Sequence, residues 1–431
     1  MKLKFFLGYT LTLLFTLILL EVSSFFLFQS LTKKEFSYAA FQNERLARIA
    51  AIQKRLQTTQ SPELYNFHPY LGYVGRPGAY PWGEIAEPFN EYGMLSMAKH
   101  PYPYKKGKNE FVIAVVGGSV AEIFANITEK FLEQYLREKF GFDKKLVLVN
   151  LATGGYKQPQ QLFHVQYALL AGFEFDAVLN IDGFNDLALA NDNINNQINP
   201  IFPSGFHIGL MSKTQMTNQL DFQTAKHLYA HYSLYETELS VLSFTQSFPF
   251  KYSIFFNLLG ELWTKRSLIE IKKTEYKLTF ETQKTMSNEF RGPLFQNQNG
   301  NPYEVVANIW QQASTMLYAI CQANRLIYIH VLQPNQYVEG SKPLSDKEKK
   351  MAFDPNLGWG IAAREGYTHL ISKGEQLSKD GIPFYDLSMI FKDSTEDLYT
   401  DICCHFNTNG NVIMGKNIAE ILLRELQKQK F

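Results

Sequence analysis

Four short segments of this chain carry side chains that could do chemistry together. Ser119 follows Gly117-Gly118 directly after the apolar run Phe111 to Val116 (FVIAVV). Two glycines permit a tight, unhindered turn and put a hydroxyl near the start of a helix. Asp401 and His405 stand in the segment DICCHFNTNGN, just before the last helical stretch. A serine hydroxyl is a poor nucleophile until an imidazole takes its proton, and a carboxylate that orients the imidazole completes the set. Gly154-Gly155-Tyr156 and Gly183-Phe184-Asn185-Asp186 form the other two segments. A glycine N–H and an asparagine amide can meet a developing oxyanion without bringing a charge. Acyl transfer is the chemistry these groups would support.

Each segment also has a plainer reading. Gly117-Gly118-Ser119 serves equally as a tight strand-to-helix turn or a phosphate-binding loop, although the patterns GxGxxG, GxxxxGK[ST] and GxSxG are all missing around it. Asn and Gly are common turn residues, and DICCHFNTNGN reads as a capping turn with a surface histidine. Cys403 and Cys404 beside His405 suggest metal ligands, but adjacent cysteines do not easily share a tetrahedral site and no second pair exists. A vicinal disulfide or buried thiols fit better. With Cys321 the chain has three cysteines, too few for a disulfide framework.

The elements that must position these residues alternate. The runs Phe111 to Val116, Leu146 to Leu151, Asp176 to Ile181, Leu326 to Leu332 and Pro383 to Ser388 read as strands. Helical stretches follow at Ile127 to Phe140, at about Gln158 to Gly172, and at Asn409 to Lys428. Strands that are apolar on both faces, alternating with helices, predict an α/β fold in which a parallel sheet of about five strands is covered on both sides. In such sheets the site lies at the carboxyl ends of the strands, which is where Ser119, Gly155 and Asn185 fall. Residues 191–302 interrupt the rhythm with polar, aromatic and Lys/Glu-rich segments of helical character and read as an insertion, a lid over the site.

Upstream, Phe5 to Leu31 is largely apolar, with Glu21 its one charged residue, and exceeds the roughly 20 residues that span a bilayer. No small-residue cleavage pattern follows, so the segment reads as a retained transmembrane anchor. Lys2 and Lys4 flank one end against Lys33, Lys34, Arg45 and Arg48 at the other, a count that leans towards a cytoplasmic body. An anchor with so little before it, however, commonly exports a long downstream domain, and an extracytoplasmic body is the expectation. The expected organisation is an anchor over 1–31, a juxtamembrane helix or stalk over 32–60, and a catalytic domain over 61–431. The turn-rich lead-in 61–108 reads as short strands packed on that domain. With 42 basic and 41 acidic residues among 431, no excess of positive charge points to a nucleic-acid partner.

In order, these segments resemble the SGNH/GDSL hydrolases: Ser after the first strand, Gly after the second, Asn after the third, and a late Asp/His pair. The resemblance covers about 111–190 and 320–431. It implies a three-layer, flavodoxin-like sandwich with Ser119 as nucleophile, His405 as base, Asp401 as the acid, and Ser119, Gly155 and Asn185 as the oxyanion hole. It implies no metal and no organic cofactor. Two departures stand out. The serine motif is Gly-Gly-Ser-Val rather than Gly-Asp-Ser-Leu, and Asp401 lies four residues before His405 where the family spaces Asp-x-x-His, which makes Asp397 the fallback acid. The implied activity is that of a serine esterase; the resemblance does not fix its substrate, and the membrane tether with an aromatic-rich lid points to an acyl ester of a cell-surface glycan or lipid. The alternatives are an O-acyltransferase with the same triad, or a non-catalytic module that binds glycan or scaffolds envelope-assembly proteins.

Overall fold

A computed structural model describes residues 2–32, 36–57, 64–79, 88–95, 102–208, 222–285, 294–296 and 300–428. Parts of the lead-in (80–87 and 96–101), of the stalk (33–35 and 58–60) and of the insertion (209–221, 286–293 and 297–299) lie outside the described residues. The chain divides into two compact units, Met1–Pro62 with Lys213–Thr285, and Glu63–Ser212 with Met286–Phe431.

The second unit is built on five parallel strands: β3 (Glu110–Gly117), β4 (Lys145–Asn150), β5 (Ala177–Asp182), β6 (Ile327–Leu332) and β7 (Phe384–Asp386). Their spatial order is β4-β3-β5-β6-β7, the flavodoxin-like doubly wound order, and every pairing is parallel. A hairpin of β1 (Tyr65–His68) and β2 (Gly72–Gly75) precedes the sheet. Five helices follow the strand pattern closely: α3 (Ser119–Phe140), α4 (Gln160–Leu170), α5 (Phe184–Asn195), α8 (Pro302–Ala323) and α10 (Gly358–Lys379). The unit also holds the short α9 (Asp346–Ala352) and the terminal α11 (Thr408–Lys428). α3 packs with α11, while α4, α5 and α10 pack with α8 or with each other, giving a helical layer on each face of the sheet.

Burial explains why these runs are strands. Phe111 to Val116 is buried throughout, as are all residues of β5 and β6. Each such aliphatic side chain stabilises the fold by about 1.5–3 kcal/mol, and a period-2 backbone covered on both faces is what buries all of them at once. α3 presents Val120, Phe124, Thr128, Leu132 and Leu136 to the core and ends at Gly141 in the left-handed conformation, whose N–H bonds back to Arg137. The helix begins at Ser119, eight residues earlier than the charge pattern alone predicts, because Gly117 turns the chain sharply and Ser119 is already the first helical residue. That offset brings the serine to a helix N-terminus.

The first unit contains α1 (Lys2–Thr32), α2 (Tyr38–Gln57), α6 (Phe222–Gln246) and α7 (Ile254–Thr285). α6 and α7 run antiparallel, with His231 bonded to Thr274 near one end and Phe250 against Phe256 at the other. The span Thr10–Leu31 of α1 is long and apolar enough to cross a membrane. Residues 196–208, although inside the interruption of the strand rhythm, remain with the α/β unit: Lys157 Nζ donates to the carbonyls of Pro200 and Phe202 there.

The turn at Gly117 has no room for a side chain. Its φ is +148°, and a Cβ would lie 2.0 Å from the Ile181 carbonyl oxygen of the neighbouring strand. Gly117→Ala should therefore cost roughly 3 kcal/mol or more, whereas Gly141→Ala, with nothing near its Cβ position, should cost about 1 kcal/mol. Thermal unfolding of the two variants checks the contrast; equal losses would contradict it.

Candidate active site

Ser119 and His405 lie 286 residues apart in the chain and 2.6 Å apart in space, Ser119 Oγ to His405 Nε2. The other ring nitrogen, Nδ1, lies 2.5 Å from Asp401 Oδ2. Asp401 uses its second oxygen, Oδ1, to accept from the N–H groups of Cys403, Cys404 and His405 at 2.9, 3.1 and 3.3 Å. This answers the four-residue spacing. The extra residue is absorbed in a turn folded around the carboxylate, so one oxygen shapes the loop and the other orients the ring. Outer bonds hold the loop in turn: Tyr399 bridges Phe406, Gln336 donates to the Asp401 carbonyl, and Tyr337 to that of Ile402. Asp397 is elsewhere, bonded to Ser345 and Lys347.

His405 is 6 % exposed. Burial would lower its pKa, but the hydrogen bond to Asp401, followed by the electrostatic influence of Cys403, Asp401 and Glu122, leaves it raised above the ordinary 6.5. Asp401 is correspondingly lowered: its burial is outweighed by the hydrogen bond and charge of His405 and by backbone donors. Cys403 and Cys404 are free thiols with sulfurs 3.4 Å apart. Together with His405 their donor atoms fall within 4.8 Å of one another, but both ring nitrogens of His405 are already engaged, so an ion there would displace Ser119 or Asp401.

Gly155 lies on the loop after β4, and Asn185 is the second residue of α5. Asn185 Nδ2 donates to the Tyr156 carbonyl at 2.9 Å, and a Cβ on Gly118 would come within 2.1 Å of that nitrogen, so only glycine lets the amide approach the turn before Ser119. Gly155 takes a φ of +78° and lies against His207, whose ring would be 2.1 Å from a Cβ. Tyr73 OH donates to the Gly154 carbonyl at 3.0 Å, and the Gly154 N–H donates to Glu122, one turn after Ser119 in α3. The loop is thus gripped at both sides of the Gly154 peptide.

Several of these supporting groups carry no sequence signal of their own. Glu122 lies ahead of the helix that the sequence predicts from Ile127, yet in the structure it is 2 % exposed, and burial pushes its pKa up to about 8 against the opposing pull of the Gly154 N–H and His405. Asp182 ends β5 and accepts from Trp310 and His330 on one oxygen, at 2.7 and 2.8 Å, and from Asn180 and Gln158 on the other, at 2.8 and 3.1 Å. Asp186 accepts from the Gln158 and Gly183 N–H groups at 2.7 and 3.0 Å. Through Gln158 these two acids tie the loop after β4 to the start of α5, which holds Asn185. A strand-end acid paired with a histidine on the next strand is a signal that was open to reading; the partnership of Trp310 was not.

The chain is similar in structure to a Bacteroides fragilis NCTC 9343 protein described as an acylhydrolase. The match covers 76% of this chain and 93% of that one at 11% identity, with a TM-score of 0.35. Likeness at that level carries no argument about activity. No family model matches the chain, and no curated protein matches it.

Glu122 yields a pH prediction. The folded chain keeps a proton that the unfolded chain releases above the ordinary carboxylate pKa of 4.5, so this contribution to stability is complete below that pH and is lost as the pH rises to about 8. Glu122→Gln removes the titration. The loss of unfolding free energy between pH 5 and pH 8 should be smaller by a few kcal/mol in the variant. An unchanged pH dependence would contradict the buried, protonated state.

Proposed function

We propose that this chain is a serine esterase of the SGNH/GDSL type that works through an acyl-enzyme at Ser119. The observation that carries the reading is the continuous line of hydrogen bonds from Ser119 through His405 to Asp401, at 2.6 and 2.5 Å. In the proposed reaction His405 Nε2 takes the Ser119 proton as Oγ attacks the ester carbonyl carbon. The oxyanion is held by the N–H groups of Ser119 and Gly155 and by the Asn185 amide, with the N-terminus of α3 adding favourable dipole. His405 then passes its proton to the departing alcohol. Water enters by the same route, its proton going to His405, and the acid leaves with Ser119 restored.

Chemistry and the apolar α1 support a proposal for the substrate class. A donor set of neutral hydrogen bonds suits an uncharged ester carbonyl, and the apolar α1 suits a substrate at a membrane, so we place it among O-acylated glycans or lipids. We place the body of the protein on the extracytoplasmic side, since long domains translocate largely regardless of their charge. Transfer to a sugar hydroxyl would share every step up to the acyl-enzyme and differ only in the acceptor.

Labelling the full chain in detergent with a fluorophosphonate tests the proposal. Wild type should label; Ser119→Ala and His405→Ala should not. Asp401→Asn should slow labelling by roughly 10³–10⁴. Because the base must be unprotonated, the wild-type rate should fall as the pH drops through a His405 pKa above 6.5, and Asp401→Asn should move that midpoint to lower pH. Equal labelling of Ser119→Ala and wild type would end the reading.

A further inference from the structure

The helices of the first unit treat α1 unevenly along its length. Residues 11–20 are exposed on every side, whereas from Glu21 onward one face, Glu21, Ser24, Phe25 and Phe28, is packed against protein. The packing partner is the tip of the α6–α7 hairpin. Glu21 accepts from Ser253 Oγ and from the N–H groups of Ile254 and Phe255, the latter two at 2.5 and 3.4 Å, so its carboxylate sits on the N-terminus of α7. Phe28 packs with Phe41 and Leu258. Tyr38 OH donates to the Tyr252 carbonyl at 3.0 Å, and Arg45 donates to the Asn257 side chain and carbonyl at 2.7 and 2.6 Å. These bonds tie the tip to the level of Glu21, about 15 Å of helix short of Leu31 within the apolar span.

A tip held at that level in water would be expected to turn polar groups outward. It does the reverse. Phe248 is 80 % exposed and Tyr252 57 %, and Phe244, Leu259, Leu262 and Trp263 continue the apolar surface on both helices. Between the helices an apolar groove of about 400 Å³ is lined by Phe244, Leu259 and Trp263 among others. Single exposed apolar residues need no explanation, but a contiguous aromatic patch bonded to a membrane-spanning helix at the depth of its own apolar segment does.

We propose that the tip of the α6–α7 hairpin, residues 244–263, is embedded in the phospholipid bilayer beside α1, as a second membrane-contacting element with lipid as its partner. The role is independent of the esterase reading, and its test does not use activity. The full chain, with Cys321, Cys403 and Cys404 replaced by serine, receives one cysteine at Phe248, Tyr229 or Leu11, is labelled with an environment-sensitive fluorophore, and is placed in phosphatidylcholine nanodiscs with or without doxyl-labelled lipid. Leu11 reports on the span, and Tyr229, exposed on α6 roughly 25 Å along the helix from the tip, reports on the aqueous end. The label at position 248 should be quenched by doxyl lipid at least half as strongly as that at 11, and the label at 229 should be quenched by aqueous iodide instead. Iodide quenching at 248 with doxyl quenching at 11 would overturn the proposal. So would protection at 248 from both quenchers, which would mean that protein covers the patch, and so would absence of doxyl quenching at 11, which would remove the membrane span on which it rests.

Discussion

The contact between the end of β3 and the loop before α11 is the constraint on which the α/β unit depends. Ser119 becomes a candidate nucleophile only because His405 reaches it, and His405 reaches it only because Asp401 spends one carboxylate oxygen folding the loop and the other holding the ring. Closing a contact across 286 residues is entropically costly for a flexible chain, yet the cost grows only slowly with loop length. A doubly wound sheet meets it cheaply: α11 returns to pack beside α3, so the chain's late loop arrives at the end of its first parallel strand.

Under this contact lies a buried polar layer. Asp182, Asp186, His330, Trp310 and Gln158 hold the loops after β4 and β5 to one another, and Glu122 with Tyr73 grips the Gly154 peptide from either side. Buried polar groups are costly unless paired, so a layer with this many partners has few alternative arrangements. Its effect is to fix Gly155 and Asn185 relative to Ser119. A hydrogen-bond donor contributes to stabilising charge in a transition state only when it is already in place.

Much of this fold was legible in the sequence, and the reasons are specific. The strands at 111–116, 146–151, 176–181 and 326–332 are long apolar runs that only a sheet covered on both faces can bury, and each appears within a residue or two of its predicted bounds. β7 is shorter than its run, three residues, as expected of an edge strand with one partner. The proximity of Ser119, His405 and Asp401 was implied by the family resemblance of their order along the chain, but the turn that absorbs the extra residue between Asp401 and His405 was not. Glu122 and Trp310 were illegible because their roles come from burial, which no local pattern around them reports. The hairpin of α6 and α7 read as helical, but its bonds to Glu21 join segments more than 230 residues apart and leave no periodic trace.

The central claim is a covalent one, that Ser119 is acylated in turnover. It is tested most directly by acid-quenching the full chain during reaction with p-nitrophenyl acetate and mapping its peptides by mass spectrometry. The account predicts an acetyl group on the peptide containing Ser119, accumulating when His405 is intact and absent in His405→Ala. Turnover of the ester with no adduct on Ser119, or an adduct on another residue that persists in Ser119→Ala, would contradict it.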